Sequence, residues 1–374
     1  MRMESRQRVL VINPGSTSTK IAIYEGFTPL FMTKIDHSLT QIQSLSTVEE
    51  QYDFRKKVVL KTLDEEGINL SKLDAVVGRG GLVRPIPSGT YAINELLLED
   101  LKDGYAGWHA SNYGGIIAYE IANQLNIPSF IVDPVVVDEM EEIARVSGLK
   151  GIARKSIFHA LNQKATARIA AKALGKKYED LKLIVVHMGG GITVGVHKEG
   201  RVIDVNDGLY GEGPFSPERA GTLPTGAVID LCFSEGMTKE KALKLMAGSG
   251  GLVSYLGTQD GHVIEQSIEN GNEEALFYYE SMAYQIAKEV GAASTVLSGQ
   301  VDGIILTGGL AYSERLILSL TAKLEWISDI LVYPGEDEML ALATGAIRII
   351  NGDETAKHYP SGKMLSELEI SGGK

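Results

Sequence analysis

The sequence predicts an α/β protein built from two similar domains, and three observations predict it. Apolar strand-like runs alternate with helix-periodic segments, the pattern of helices packed on a sheet. The length of 374 residues exceeds what a single hydrophobic core ordinarily serves. An opening stretch, "VLVINPGSTSTK" at 9–20, returns in altered form as "IVVHMGGGITVGVHKEG" at 184–200. A shift of 174 positions aligns Val11 with Val185, Gly15 with Gly189, Thr19 with Thr193 and Glu25-Gly26 with Glu199-Gly200. A repeat at that spacing implies two related domains, not a solenoid of small units. The predicted division is 1–175 and 176–374, with a last helix at about 337–350 folding back over the first domain.

The elements follow in order. Residues 9–14 and 20–25 read as strands around a tight Gly-Ser-Thr turn, with "LFMTKID" as a third strand. Residues 48–66 carry a helical pattern, 75–80 a strand and turn, 111–125 a helix, and "SFIVDP" at 129–134 a buried strand. A helix is predicted over 160–174, with Ala165, Ile169 and Ala173 on its apolar stripe. The second copy supplies "LIVVHMG", "ITVGVHKE" and "RVIDVND" as strands. A long helix over 272–297 presents Leu276, Tyr279, Ala283, Ile286, Val290 and Leu297 on one side. The strands "GIILTGG" and "DILVYPG" and the helix "EMLALATGAIRIIN" complete the chain.

Composition narrows the function classes. Acidic residues outnumber basic ones, 48 to 36, for a net charge of −12. That balance argues against a nucleic-acid partner, which requires a basic face. It leaves room for a nucleotide, whose phosphates backbone amides and magnesium neutralise locally. The single cysteine, Cys232, excludes an intrachain disulfide and a multi-cysteine metal site; its apolar surroundings "AVIDLCF" predict a core position. The basic start "MRMESRQR" leads into a short strand-like run, not a secretory apolar region, and no segment has the length to span a bilayer. These features predict a cytoplasmic protein.

The chemistry concentrates where strands end. Glycine at a strand–turn–strand junction lets backbone N–H groups approach a phosphate closely. In the first copy Gly15 is followed by the hydroxyls of Ser16, Thr17, Ser18 and Thr19 and the cation of Lys20. In the second copy the turn is Gly189-Gly190-Gly191, and Gly308-Gly309 closes a further strand. Plain hairpin geometry accounts for any one of these, whereas three together favour a nucleotide site. The spacing "GSTSTK" is too short for a Walker A loop, and "GRGGLV" matches a dinucleotide fingerprint only in part. Other candidates at strand ends and in polar loops are Asn13, Arg79, Arg84, His109, Asp133, His159, His187, Arg219 and the run Glu336-Asp337-Glu338. His187 occupies the place that Asn13 has in the first copy. Arg219 lies in "PFSPERAGTLPTG", and loops of that kind carry binding groups when a rigid scaffold holds them. The histidines are too widely spaced for a recognisable zinc motif.

Taken together, these motifs resemble the acetate and butyrate kinases of the sugar kinase, heat-shock cognate and actin superfamily. The resemblance runs through "VLVINPGSTSTK", "VVGRGG", "HASN", "VDP", "SIFHALNQKA", "VVHMGGGITVG", "GPFSPERAG", "ILTGG" and "VYPGEDEMLALATGA", over about residues 8–350. "HMGGG" and "GEGPFSPERAGTLPTG" point to the butyrate-kinase branch. The resemblance implies two duplicated ribonuclease-H-like, actin-like ATPase domains with a nucleotide cleft between them, and self-association at least to a dimer. It implies reversible transfer of the terminal phosphoryl of ATP to a short-chain carboxylate such as butanoate, giving ADP and an acyl phosphate, with Mg2+. By the same resemblance Asn13, Asp133, His159, His187 and Arg219 are catalytic, and Arg79, Arg84 and His109 bind the acid. Gly15, Ser16, Thr17, Ser18, Lys20, Gly189, Gly190, Gly191, Gly308 and Gly309 bind nucleotide, and Asp133 and Glu338 attend the metal. One departure stands out: acetate kinases place an arginine in "TRSG", where this chain reads "LPTG" and has Arg219 earlier, in "SPERAG". The alternatives are an acetate, propionate or branched-chain acid kinase, a sugar-type kinase with Asp133 as base, and an actin-like protein that turns ATP over slowly.

Overall fold

A computed structural model describes residues 7–360, apart from Ser44 and Ser46. The basic start at 1–6 lies outside the described residues. The described residues form two compact units, the first from 7–137 with 337–360 and the second from 138–336. The second unit therefore begins well before residue 176. The helix Ala160–Ala173 packs on strands of that unit, and the buried Lys164 on it pairs with Glu139 at 2.6 Å.

In the first unit the strands are β1 (Arg8–Pro14), β2 (Ser18–Glu25), β3 (Thr28–Asp36), β4 (Ala75–Arg79), β5 (Thr90–Ala92) and β6 (Ser129–Val132). The second unit holds β7 (Lys182–Met188), β8 (Ile192–Lys198), β9 (Arg201–Val205), β10 (Gly303–Gly308) and β11 (Ile330–Pro334), and β12 (Lys357–His358) returns to the first. The first sheet runs β12-β5-β6-β4-β1-β2-β3 and the second β11-β10-β7-β8-β9. Each has a central strand, β1 or β7, with an antiparallel hairpin partner on one side and a parallel strand on the other. Both central strands are buried on both faces, so they read as continuous apolar runs. Each fully buried Val, Leu or Ile there contributes about 1.5–3 kcal/mol.

Helices cover the sheet faces. In the first unit Asn112–Leu125 and Glu338–Ile350 pack on β1 and β4. Gly78 of β4 permits that approach, because a Cβ there would collide with the carbonyl of Gly114. In the second unit Glu273–Val296 packs on β7 and β8, and Ala160–Ala173 on β7 and β10. The buried face of Ala160–Ala173 is not the predicted stripe: Ala160, Leu161, Ala167, Ala170 and Ala171 face inward, and Ile169 is exposed. Cys232 is also exposed, contrary to the predicted core position, because its helix Thr225–Cys232 buries none of its residues. No helix among the described residues is long and apolar enough to cross a membrane.

The strand registers correct the sequence repeat in one respect. Asn13 pairs with Lys20 across the first hairpin, whereas His187, its counterpart, pairs with Thr193. The second turn is one residue shorter, so Thr193 corresponds to Lys20 and not to Thr19. The bulges confirm it, falling at Ile23/Tyr24 in β2 and Val196/His197 in β8.

Candidate active site

In the first unit, parallel pairing of β1 and β4 brings Asn13 and Arg79 to adjacent strand ends. Both reach Glu338, the first residue of its helix. Asn13 Nδ2 donates to Oε2 at 2.8 Å, and the Arg79 guanidinium pairs with Oε1. Burial pushes the Glu338 carboxyl up, but Arg79, the Asn13 hydrogen bond and Lys20 together hold it below the usual carboxylate range. Arg79 Nε is buried with no hydrogen-bond partner. A donor left in that state is costly, and an oxygen ligand would satisfy it.

His109 belongs to the same neighbourhood. Burial, then the positive charge of Arg79, lowers its pKa and keeps the ring neutral. Its Nδ1 accepts from the Ser111 backbone N–H at 3.2 Å, which leaves the hydrogen on Nε2. Asp133 follows β6 with a left-handed φ of 38°. Its Oδ1 accepts from Ser88 Oγ at 2.6 Å and Gly89 N–H at 2.7 Å, which fixes the carboxylate in a sparsely populated backbone conformation. Arg84 is not brought to this group. Its Nε and Nη2 donate to the Asp100 carboxylate at 2.6 and 3.1 Å, and its guanidinium lies over the Tyr105 ring.

The turn Gly15–Ser18 is held by a residue that the sequence did not single out. Arg55, buried on the helix Val48–Glu65, donates to Ser16 O at 2.9 Å, and to Ser18 O and Thr19 Oγ1 at 3.1 Å each. Behind it His37 meets Thr19 Oγ1 at 2.8 Å. The side chains of Ser16, Thr17 and Lys20 remain exposed.

In the second unit His187 is the next-to-last residue of β7, and His159 stands at the N-terminus of Ala160–Ala173. Their rings stack at 3.7 Å with 13° between planes. His187 Nδ1 meets Asn162 Oδ1 at 2.8 Å, while Nε2 lies 3.1 Å from Glu336 Oε1 without an aligned hydrogen bond. The Gly189–Gly191 turn closes through Gly189 N–H to Gly191 O at 3.0 Å. Side chains added there would displace their neighbours: a Cβ on Gly191 would overlap the Arg219 guanidinium, and one on Gly190 would come within 3.0 Å of Glu218 Oε1. Arg219 thus lies against the turn, donating to Gly208 O and sitting 3.9 Å from Glu218. Burial lowers its pKa, with Glu218, Asp207 and Tyr210 opposing.

Beside the turn opens a cavity of ≈ 230 Å³, whose lining includes Gly189, Gly190, Gly309, His262, Tyr279 and Ser313. Gly308 turns the chain there with φ 91°, a conformation and a closeness to Met188 O that suit only glycine.

The acidic run divides its labour. Glu336 faces His187, Asp337 caps its helix by accepting from Leu340 N–H at 2.9 Å, and Glu338 holds Asn13 and Arg79. No group of three or more His, Cys, Asp or Glu among the described residues forms a ready metal cage. In the first unit Asn13 and Arg79 meet at Glu338 with His109 beside Arg79, and in the second His159 stacks on His187 and Arg219 lies against the three-glycine turn, whereas Arg84 is held by Asp100. Sequence reasoning missed Arg55, Asn162, Gln163 and Thr193, which are buried polar residues on elements that otherwise read as ordinary helix and strand.

Four likenesses bear on this arrangement. The sequence profile of the acetokinase family matches residues 143–327. The fold is similar to that of the Porphyromonas gingivalis acetate kinase, at TM-score 0.77 and 19% identity, covering 92% of this chain and 100% of that one. It is also similar to a propionate kinase from Francisella tularensis subsp. tularensis SCHU S4, at 0.71 and 19%, covering 91% and 98%. A third structural likeness is to the acetate kinase of Entamoeba histolytica, at 0.72 and 17%, again covering 91% and 98%. At these identities the structural likenesses establish the fold.

Proposed function

We propose that the chain belongs to the acetokinase family, whose profile matches residues 143–327, and that it transfers the terminal phosphoryl of ATP to a short-chain carboxylate. Its α/β fold is that of the sugar kinase, heat-shock cognate and actin superfamily. The observation that carries the reading is the glycine turn at 189–191, with Arg219 pressed against it and His187 at its base. Backbone donors, a planar cation and an imidazole suit the oxygens of a transferring phosphoryl group.

We assign the roles as follows. Phosphates lie over Gly189–Gly191, with the nucleoside toward the cavity beside Gly309. Ser16, Thr17 and Lys20 supply further phosphate donors in the first unit. Arg79, with its unpartnered Nε, and the neutral Nε2–H of His109 receive the acid. The committed ion pair of Arg84 argues against a substrate role for it. Asp133 and Glu338 are the carboxylates that would hold magnesium, which with a nucleotide takes phosphate and water as most of its ligands and needs only one or two carboxylates. When bound, the ion neutralises phosphate charge.

In the reaction a carboxylate oxygen of the acid attacks the γ phosphorus, and the bond to the β–γ bridging oxygen breaks. The products are the acyl phosphate and ADP. The attacking carboxylate is already ionised at neutral pH, so no general base is required. Arg219 and His159 stabilise charge as it grows on the equatorial oxygens, and His187 supports the His159 ring by stacking on it. We further propose self-association at least to a dimer and a cytoplasmic location.

The acid's chain length is a finer matter. Acetate and propionate stand in the names of the similar structures and butanoate in none, so the comparisons favour the wider reading over butanoate alone. The motifs "HMGGG" and "GPFSPERAG" keep butanoate as our proposal within it. Each buried methylene contributes roughly 0.8 kcal/mol, so overlapping activity on neighbouring acids is expected. The test is ADP formation from ATP with trapping of an acyl hydroxamate by hydroxylamine, run with acetate through valerate. ADP formation dependent on one of these acids supports the reading, and turnover indifferent to all of them overturns it. The largest kcat/KM in the series assigns the acid.

A further inference from the structure

Behind His159 runs a chain of buried polar side chains with no part in the roles above. Tyr178 OH meets His197 Nδ1 at 2.7 Å, and His197 Nε2 meets Gln163 Oε1 at 3.0 Å. Gln163 Nε2 reaches Thr193 O at 3.1 Å and Thr193 Oγ1 at 2.8 Å, and Thr193 Oγ1 meets His159 Nδ1 at 3.0 Å. Gln163, Thr193 and His197 are all completely buried. Five side chains from three elements are thus linked end to end out of water.

From Gln163 to Tyr178 the direction of each hydrogen follows from one fixed point. The Thr193 backbone carbonyl only accepts, so the Gln163 atom facing it is the NH2 group. The Gln163 carbonyl oxygen therefore faces His197, and His197 Nε2 must donate to it. Burial, then Lys164 and Arg168, drives the His197 pKa well below its ordinary value, so that ring is neutral and its Nδ1 accepts from Tyr178. Toward the other end, the second Gln163 N–H donates to the Thr193 hydroxyl. The Thr193 hydroxyl, accepting from Gln163, keeps its own hydrogen to donate to His159 Nδ1, and in that arrangement the ring hydrogen of His159 sits on Nε2.

Two features indicate that this order is built in. Gly195 leaves the space that the Gln163 oxygen fills, since a Cβ there would overlap it. The stacked partner has the opposite arrangement: His187 Nδ1 faces the Asn162 carbonyl oxygen and must carry the hydrogen.

We propose that Tyr178, His197, Gln163 and Thr193 are positioning residues that lock His159 in its Nε2–H tautomer, so that a neutral imidazole N–H is presented to the transferring phosphoryl. The role of that N–H rests on the proposed phosphoryl transfer, whereas the tautomer does not, so the two fail separately. A fixed donor needs no reorganisation as charge develops, which is what makes such an arrangement effective.

The experiment uses the full chain labelled with 15N-histidine, the His159 signals being assigned by their loss in His159→Gln. Imidazole 15N shifts report which nitrogen bears the hydrogen. The expected result is Nε2–H at His159. Thr193→Val keeps the side-chain shape but removes the hydroxyl, and should abolish that preference. It should also lower kcat about 10²-fold while leaving KM for ATP and the acid within about threefold. Thr193→Ser should restore both. Gln163→Glu is the second variant: its carboxylate accepts from both neighbours, draws the Thr193 hydrogen toward itself and should move the His159 hydrogen to Nδ1. A His159 tautomer unchanged in both Thr193→Val and Gln163→Glu overturns the proposal, as does a changed tautomer with undiminished kcat. Tautomer ordering in a protein that makes no acyl phosphate would instead overturn the function and leave the locked ring standing.

Discussion

The two hairpins at the heart of the units share strand order, direction and bulge position, yet each is served by an arginine used in a different way. Arg55 is almost completely buried, and its Nη donors are spent on the carbonyls and hydroxyl of the serine-rich turn. Arg219 lies against the three-glycine turn with its side chain 23% exposed and one fixed contact, to Gly208 O. The first arginine shapes a turn whose hydroxyls and lysine face outward. The second turn has no side chains, so its arginine supplies the charge directly. One backbone plan thus yields two phosphate-binding surfaces, one built from side chains on a braced turn and one from backbone with a cation beside it.

The comparison breaks most sharply at Arg219. Arg219→Ala is expected to lower kcat about 10³-fold, the range for an arginine acting on a transferring phosphoryl, with much smaller changes in KM. Arg219→Lys should recover little, because an ammonium lacks the planar fork that serves the carbonyl and a phosphate oxygen together. Steady-state kinetics with a melting curve check both, and an alanine variant with nearly full kcat would remove the chemical role from this arginine.

The opposite outcome is expected at Arg55. Arg55→Ala removes the brace from Ser16 O, Ser18 O and Thr19 Oγ1 and should cost about 3 kcal/mol locally. Amide hydrogen exchange across 15–24 should then speed up by about 10²-fold, with exchange across 189–196 unchanged. Equal acceleration in both hairpins would mean that the turns are not braced independently.

Much of this division was legible beforehand, for definite reasons. β1 and β7 are buried on both faces, so their apolar runs stand out, and glycines at their ends mark the turns. Asn13 and His187 were found because they interrupt those runs at matching places. Arg55 and Gln163 were not found, since a polar residue on a helix looks solvent-facing until the packing is known. The shortened second turn was hidden by chance identities such as Thr19 with Thr193, which only the pairing registers separate. The boundary at 175 failed because the helix Ala160–Ala173 docks forward onto β7 and β10, a choice its own periodicity does not record. Ile169 misled for the same reason, its apolar character pointing to a stripe that small alanines occupy instead.

A smaller effect sharpens the contrast from the side of acid stability. In the first unit, burial and then Arg55 lower the His37 pKa to about 4 from an ordinary 6.5. The unfolded chain therefore binds the proton first, and stability falls as pH drops from 6.5 toward 4. The slope is at most about 1.4 kcal/mol per pH unit from this one group. His37→Gln should flatten that loss in the first unit alone, because the second keeps its own neutral His197. Exchange protection of each hairpin at pH 7 and pH 5 reads the difference, and equal acid loss in both proteins would show that His37 carries none of it.

In direct transfer His159 donates a hydrogen bond, and neither of the stacked histidines accepts the phosphoryl group. ATP made chiral at the γ phosphorus with oxygen isotopes tests this most directly. In-line attack by the carboxylate gives an acyl phosphate with inverted configuration, and inversion is the expected result. Retention would require two displacements, with a phosphorylated side chain such as His159 or His187 between them, and would contradict the mechanism.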